Sequence, residues 1–368
     1  MKMKYSYHSE RLNDEQNELV QAFYDLSMDF KAGKANDKEY LKKNAKFSEK
    51  IGEYCVKSSG NEWTGAEMLK NPQFTNYNTN FTTHFSTILS QAITPVVPAL
   101  TSREYERLWD VVQVGWGDNA KYEVESNELF IVYDIAEGIN RQNLQTTYNT
   151  EYTVSASKRQ ISTSVDWYKV ASGKFDWGKM GVKIAQSFMV HLQLIVINAM
   201  TKCVANAADW GIAGYKKIGA TDENWISLRQ LVSAANNSDV YAIGTYDALA
   251  KIAPHDAGFR FGPTDDLVTV GYLPSYKLVP MVELDQAILP GTINSAKPSL
   301  IIPNDYIYFI PMGFNKPVKV VYEGDNVLVN VDPLKTTDLT LGLTISMYVG
   351  ADVIVGSKFG VLDVGSSD

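Results

Sequence analysis

Four histidines, two cysteines and a few neighbouring carboxylates are the side chains here whose type suits catalysis or metal binding. His8, His84, His191 and His255 form no H-x-x-x-H or H-E-x-x-H pattern, the spacing that presents two zinc ligands from one helix face. The chain has no G-x-S-x-G elbow, no G-x-x-x-x-G-K-[ST] phosphate loop and no G-x-G-x-x-G fingerprint. Gly115-Trp116-Gly117 lacks a third glycine and reads as a turn. Cys203 sits on an apolar stretch whose nearest cation, Lys202, is adjacent and turned away, so a packed thiol is expected rather than a nucleophile. Cys55 lies far from it in sequence, and two reduced thiols fit a reducing compartment. His191 reads as a hydrogen-bonded core histidine. Asp265, Asp266 and Asp285 read as solvated loop carboxylates. The expectation is a chain with no catalytic residues, no metal and no cofactor.

With no chemistry to position, attention passes to the elements. The stretch from Asp176 to Asp209 reads as one long helix. Asp176 can cap its start by accepting a free backbone N–H, and Gly211 and Gly214 follow its end. Trp177, Gly181, Ile184, Phe188, Leu192, Ile195, Ala199 and Cys203 recur every three or four residues and share a face. Val190, Leu194 and Ile197 fall outside that face, so the helix is apolar nearly all round in its middle and is expected to be buried on several sides. At 1.5 Å per residue it spans about 45–50 Å. A membrane span needs about 20 nearly continuous apolar residues. Lys183, Gln186, His191, Gln193, Asn198 and Lys202 interrupt this run, so a buried spine is expected and no membrane association.

The 368 residues are 45% hydrophobic and 21% charged, with net charge -8. Such an acidic balance argues against gripping nucleic acid, which requires clustered Lys and Arg. Twenty-one Tyr, 14 Phe and 7 Trp supply much aromatic surface to bury, some of it between subunits. The opening MKMKYSYHSERLNDEQ has no apolar run, and no signal peptide is expected.

Residues 1–117 read as a helical arm, with Leu12, Leu19, Phe23, Leu26 and Phe30, then Tyr40, Phe47, Ile51 and Tyr54, at helical spacing. No core of its own is evident, so this arm must lie on something else. Residues 118–170 read as an extended hairpin with a polar tip, Gly138–Thr147. Its return strand alternates Ile161, Thr163, Val165 and Trp167. A two-stranded ribbon is marginal in water, so a neighbouring subunit is expected to stabilise it. Residues 171–215 and 317–368 are expected to form one domain. There Ile184, Phe188, Leu192 and Ile195 of the spine face long C-terminal strands carrying Leu341, Leu343, Ile345 and Met347. Residues 216–316 read as an inserted α/β domain.

This order of parts resembles the tailed-bacteriophage major capsid protein with the Hong Kong 97 fold. The residues that carry the resemblance are the loop return SASKRQISTSVDWYKVASGKFDW, the spine directly after it, VYAIGTYDALAKIA, LIIPNDYIYFIPMGFNKPVKVVYEGD and the closing YVGADVIVGSKFGVLDV. The resemblance implies an α+β fold with an extended loop (E-loop), a peripheral domain holding the spine, and an inserted axial domain. It implies a structural role: self-assembly through hexamers and pentamers into the icosahedral head around double-stranded DNA, held without sequence-specific binding. Scaffolding, portal and decoration proteins are the further partners it implies. The virion capsid, assembled in the host bacterial cytoplasm, is the location it implies. At the E-loop tip it points to Arg141, Gln142, Asn143 and Leu144 as inter-subunit residues. Some members crosslink a loop lysine to a neighbour's asparagine; Lys158 lies on the return strand here, but no partner aligns. Two other readings stand beside it: an encapsulin-type compartment shell, separable by its cargo, and a soluble α/β enzyme or ligand-binding protein, separable by its small size in solution.

Overall fold

The computed structural model describes residues 13–34, 36–58, 79–93, 108–125, 130–132, 134, 144–145, 149–166, 169, 174–252, 273–313, 316–324, 328–332 and 340–365. The chain divides into two bodies. One comprises Met1–Thr101, Ser157–His191 and Tyr322–Val349; the other comprises Ser102–Ala156, Leu192–Val321 and Gly350–Asp368.

In the first body, α1 (Asp14–Lys31), α2 (Lys38–Ser58) and α3 (Thr79–Ile93) come from the N-terminal arm. The Asn13 backbone N–H donates to Gln16 Oε1 at 3.1 Å, closing the start of α1. Asp14 and Glu15 in its first turn and Lys31 in its last complement the helix dipole. Its buried residues, Leu19, Val20, Phe23, Leu26 and Ser27, share one stripe, and α2 answers with Tyr40, Asn44, Phe47, Ser48, Ile51 and Cys55. A three-stranded antiparallel array completes the body. Strand β12 (Thr340–Val353) lies between β4 (Ser157–Asp166) and β11 (Leu328–Asp332), with Ile345 opposite both Ile161 and Val329. Leu343, Ile345, Met347 and Val349 are buried, as alternation along a strand dictates; the side chain of Leu341 lies outside the described residues.

The spine is α4, Trp177–Ala205. It belongs to the first body as far as His191 and to the second from Leu192. By length and composition it could cross a membrane. In the fold it has two faces: Lys179, Lys183, Gln186, Ser187, Asn198 and Lys202 are exposed, whereas Ile184, Phe188, Leu192, Val196, Met200 and Cys203 are buried. Ile195 is half-buried and Ile197 is buried, so the inward stripe turns away from the expected one in this half of the helix.

The second body holds a six-stranded mixed sheet, ordered β5 (Lys216–Ile218), β13 (Gly360–Asp363), β9 (Tyr306–Pro311), β6 (Val240–Gly244), β8 (Val279–Glu283) and β7 (Ser275–Tyr276). Strand β9, YIYFIP, is apolar and buried over its last five residues, as suits an interior strand. Helix α5 (Asp222–Asn236) is capped by Thr221, whose hydroxyl accepts from the Asn224 N–H, and closes on Asn237 in the left-handed region at φ 48°. Its Trp225, Leu228 and Val232 share a core with Ala242, Met281, Ile307, Phe309 and Leu362. A short α6 (Tyr246–Ala250), capped by Thr245, follows β6. The closing strand was expected beside the spine's long strands. Instead Gly360–Asp363 pairs antiparallel with β9 and parallel with β5. Two backbone bonds to the Asn236 side chain hold the preceding turn in place, at 2.6 Å from its Nδ2 to the Lys358 carbonyl and 2.9 Å from the Lys358 N–H to its Oδ1. This body also contains the paired strands β2 (Ala120–Glu125) and β3 (Asn149–Val154), with β1 (Trp109–Val114) beside β10 (Val318–Glu323).

Candidate functional site: the extended arm and the grip on the spine

Two places concentrate unusual residues. The first is the hairpin arm in the second body. Strands β2 and β3 pair from Ala120↔Val154 to Glu125↔Asn149. At the base, Ala120 and Val154 pack with Val321 and Ile354, and Val114, Tyr122, Val124 and Tyr152 lie against them. A buried cation reinforces this base. Lys319, 8% exposed, hydrogen-bonds Asp110 Oδ2 through Nζ and stands 5.7 Å from the centre of the Tyr122 ring. Lys316 Nζ reaches Asp110 Oδ1 at 3.4 Å and donates to the Trp109 carbonyl at 3.2 Å. One carboxylate on β1 thus serves two ammonium groups. Burial, then the Asp110 charge, push the Tyr122 phenol above its ordinary range and keep it protonated. Nothing in the sequence marked this group, because Asp110 and Lys319 are 209 residues apart.

Further along the arm the character reverses. Phe130, Ile131 and Val132 are 61%, 61% and 92% exposed, and Leu144 is 96% exposed. The Gln145 side chain holds the two sides together. Its amide donates to the Ile131 carbonyl and its oxygen accepts the Ile131 N–H, both at 2.8 Å, imitating a strand partner. Of the four tip residues singled out by sequence, Leu144 is fully displayed; Arg141, Gln142 and Asn143 lie outside the described residues. Apolar side chains displayed so openly suit burial against another surface.

The second place is the start of the spine in the first body. Asp176 Oδ1 accepts the Lys179 N–H at 2.9 Å, the N-cap bond expected from sequence, and also accepts the Tyr40 hydroxyl. Burial, then that carboxylate, raise the Tyr40 phenol well above its usual range, so it remains a donor. Asn44 of α2 donates to the Phe175 carbonyl at 2.6 Å and accepts the Trp177 N–H at 3.0 Å. Ser48 accepts the Trp177 indole N–H at 2.7 Å. Phe47, Phe85 and Phe175 meet the Trp177 ring edge-on at 4.8–5.9 Å. The N-terminal arm therefore rests on the spine's first turns. Gly178 and Gly181 permit the close approach: a Cβ there would lie 2.7 Å from the Leu26 carbonyl oxygen or from Phe23 and Ser27.

The remaining reactive groups are quiet. Both cysteines are free and buried. Burial, then Asp352, push the Cys203 thiol up to about 12, and burial raises Cys55 further, so neither is a nucleophile at neutral pH. His191 departs from its expected role. Its Nε2 is buried with no hydrogen-bond partner among the described residues, and burial, then Arg159, lower its pKa. The described residues hold no group of three metal-ligating side chains; Asp265 and Asp266 lie outside them.

Residues 17–363 match the profile of a family described as SPbeta prophage-derived putative capsid protein YonB. No curated protein sequence matches the chain. Among solved structures, the capsid of the native GTA particle aligns at 15% identity with TM-score 0.51, covering 73% of this chain and 92% of that one. A protein of Microbacterium phage Oxtober96 aligns at 13% identity with TM-score 0.48, covering 72% and 91%.

Proposed function

The chain belongs to the YonB family of prophage-derived capsid proteins, and from that premise and its Hong Kong 97-like fold we propose how it works as a major shell subunit. Copies associate as hexamers and pentamers and close into an icosahedral head around double-stranded DNA. The observation that carries this reading is the arm: Phe130, Ile131, Val132 and Leu144 are exposed on a single subunit, while the arm's base is braced by Lys319 and Asp110. A rigid base with an apolar outer part is what a contact with the next subunit requires. The spine supports the same role. Its first turns are locked to the N-terminal helices by Asn44, Ser48 and Tyr40, which fixes the start of that element within its body.

The net charge of -8 suits a wall that encloses DNA without holding it, since clustered cations would retard its movement during packaging. The subunit acts in this reading by packing rather than by chemistry. Its partners are copies of itself, then scaffolding, portal and decoration proteins. Assembly takes place in the host bacterial cytoplasm and the finished location is the virion. The test is sedimentation and electron microscopy of the full chain across salt conditions, alone and with a scaffolding partner. Closed shells are expected. Small species under every condition would overturn the reading.

A further inference from the structure

Strand β4 carries an arginine on its inward face. Along the ladder with β12, Arg159 stands opposite Met347, Ile161 opposite Ile345 and Thr163 opposite Leu343. Directly opposed residues share a face, and Met347, Ile345 and Leu343 are buried. Arg159 is half-buried on that face. Its Nε is inaccessible to water and has no hydrogen-bond partner among the described residues. An arginine keeps its proton in a protein, so this face holds a permanent cation.

The spine brings a second nitrogen of the same kind in the same body. His191 is half-buried on α4, and its Nε2 is likewise inaccessible and unpartnered among the described residues. One turn away on its own helix, Ser187, Phe188, Leu194 and Ile195 carry no charge. On β4, Lys158 is exposed on the face opposite Arg159. On β12, Ser346 and Tyr348 flank Met347 and carry no carboxylate. Among the described residues, Arg159 is the charged side chain that acts on the imidazole; burial, then that guanidinium, hold the His191 pKa below its ordinary value. A neutral imidazole tolerates a guanidinium, since it has a lone pair to offer; an imidazolium has only donors and a charge. One proton therefore makes two half-buried cations with no anion between them, the costliest arrangement for a group out of water.

We propose that Arg159 and His191 form an acid-sensed latch, which holds β4 in its place in the first body while His191 is neutral and loosens it when His191 gains a proton. The device lies within one subunit and needs no shell to act. Above about pH 6.5 the imidazole is neutral whether β4 is seated or released, and the latch has its full strength. As pH falls below that value, a released imidazole takes a proton that the seated one refuses. Release grows easier until pH reaches the lowered value of the seated state. By pH 5.5 the equilibrium shifts towards release by up to about tenfold.

The test is hydrogen exchange of the full-length, unassembled subunit, comparing wild type with His191→Gln and Arg159→Gln at pH 7.5 and 5.5. Variants are compared at equal pH, which removes the intrinsic dependence of exchange. The segment read is Ser157–Asp166, the whole of β4. At pH 7.5 wild type and His191→Gln are expected to exchange alike. At pH 5.5 wild type is expected to exchange several-fold faster, because glutamine takes up no proton. Arg159→Gln removes the opposing charge and is expected to lessen the acid effect. If wild type and His191→Gln keep the same ratio at both pH values, there is no latch. If Arg159→Gln leaves the whole acid effect in place, the guanidinium is not the opposing group, and the proposal also fails. Should His191→Gln not fold, Arg159→Gln against wild type decides alone by the same criterion. Shell formation enters none of these readings, so failure here leaves the shell-subunit role standing, and failure of that role leaves the latch testable.

Discussion

A buried ammonium group is tolerable when a carboxylate meets it, and Lys319 with Asp110 is such a pair. The two partners are not equivalent. Asp110 also serves Lys316 at 3.4 Å, so it keeps an ion pair if Lys319 is lost. Lys319 sits deeper, with 10% side-chain exposure against 29% for Asp110. Asp110→Ala is therefore expected to strand a buried charge and destabilise the unassembled subunit by about 3 kcal/mol, near the lower end for a broken buried pair. Lys319→Met replaces the cation with a similar apolar volume and is expected to change stability by less than about 1 kcal/mol. Urea unfolding of both variants checks the asymmetry; equal losses would mean that the pair matters for its own attraction. None of this was legible in the sequence, where Asp110 falls in the arm of residues 1–117 and Lys319 in the part from 317 to 368, 209 residues away, with no reason to join them. The Asp176 cap was legible because capping chemistry is local: the acceptor and the N–H it serves are three residues apart.

At the scale of elements, the spine was readable in existence, length and polarity, and less so in orientation. Ile184, Phe188 and Leu192 are buried, but inwardness then passes to Val196, Ile197 and Met200 while Ile195 is half-exposed. In a helix apolar nearly all round, the choice between positions three and four residues on depends on what packs there. That partner is distant in sequence. The N-terminal helices show the same limit: their stripes were plain, but the surface they needed, around Trp177, was not. Phe188 is 2% exposed, and Phe188→Ala is expected to cost about 3–5 kcal/mol through lost transfer energy and a cavity. Lys183 is on the exposed stripe, and Lys183→Ala is expected to stay within about 0.5 kcal/mol. Thermal melts of the two variants decide it. A larger loss at Lys183 would reverse the faces and overturn the packing of the spine described above.

At the scale of the molecule, the order of parts was the readable signal: arm, loop, spine, inserted α/β segment, late strands. What the order did not give is where strands close. Gly360–Asp363 reads as the end of a β-rich tail, yet it completes the sheet begun at Lys216, and strand pairing over such a separation leaves no local mark. In the function proposed above the arm serves contact with a neighbouring copy, a reading supported by the exposure of Phe130, Ile131, Val132 and Leu144. Shortening it separates folding from assembly. Replacing Gly138–Thr147 with a short glycine-rich linker removes the two exposed Gln145–Ile131 bonds but leaves β2, β3, Lys319 and Asp110 in place; exposed hydrogen bonds contribute little net, and loop length changes stability by only about 0.6 kcal/mol per doubling. The shortened subunit is therefore expected to melt within a few degrees of wild type, a shift of about 1 kcal/mol or less in a body of this size. Its contacts with a neighbour would be cut, so sedimentation is expected to show subunits or capsomers where wild type gives shells. A shortened chain that melts normally and still closes shells would mean that the tip is not an assembly element, and the inter-subunit role of Arg141, Gln142, Asn143 and Leu144 would have to be given up.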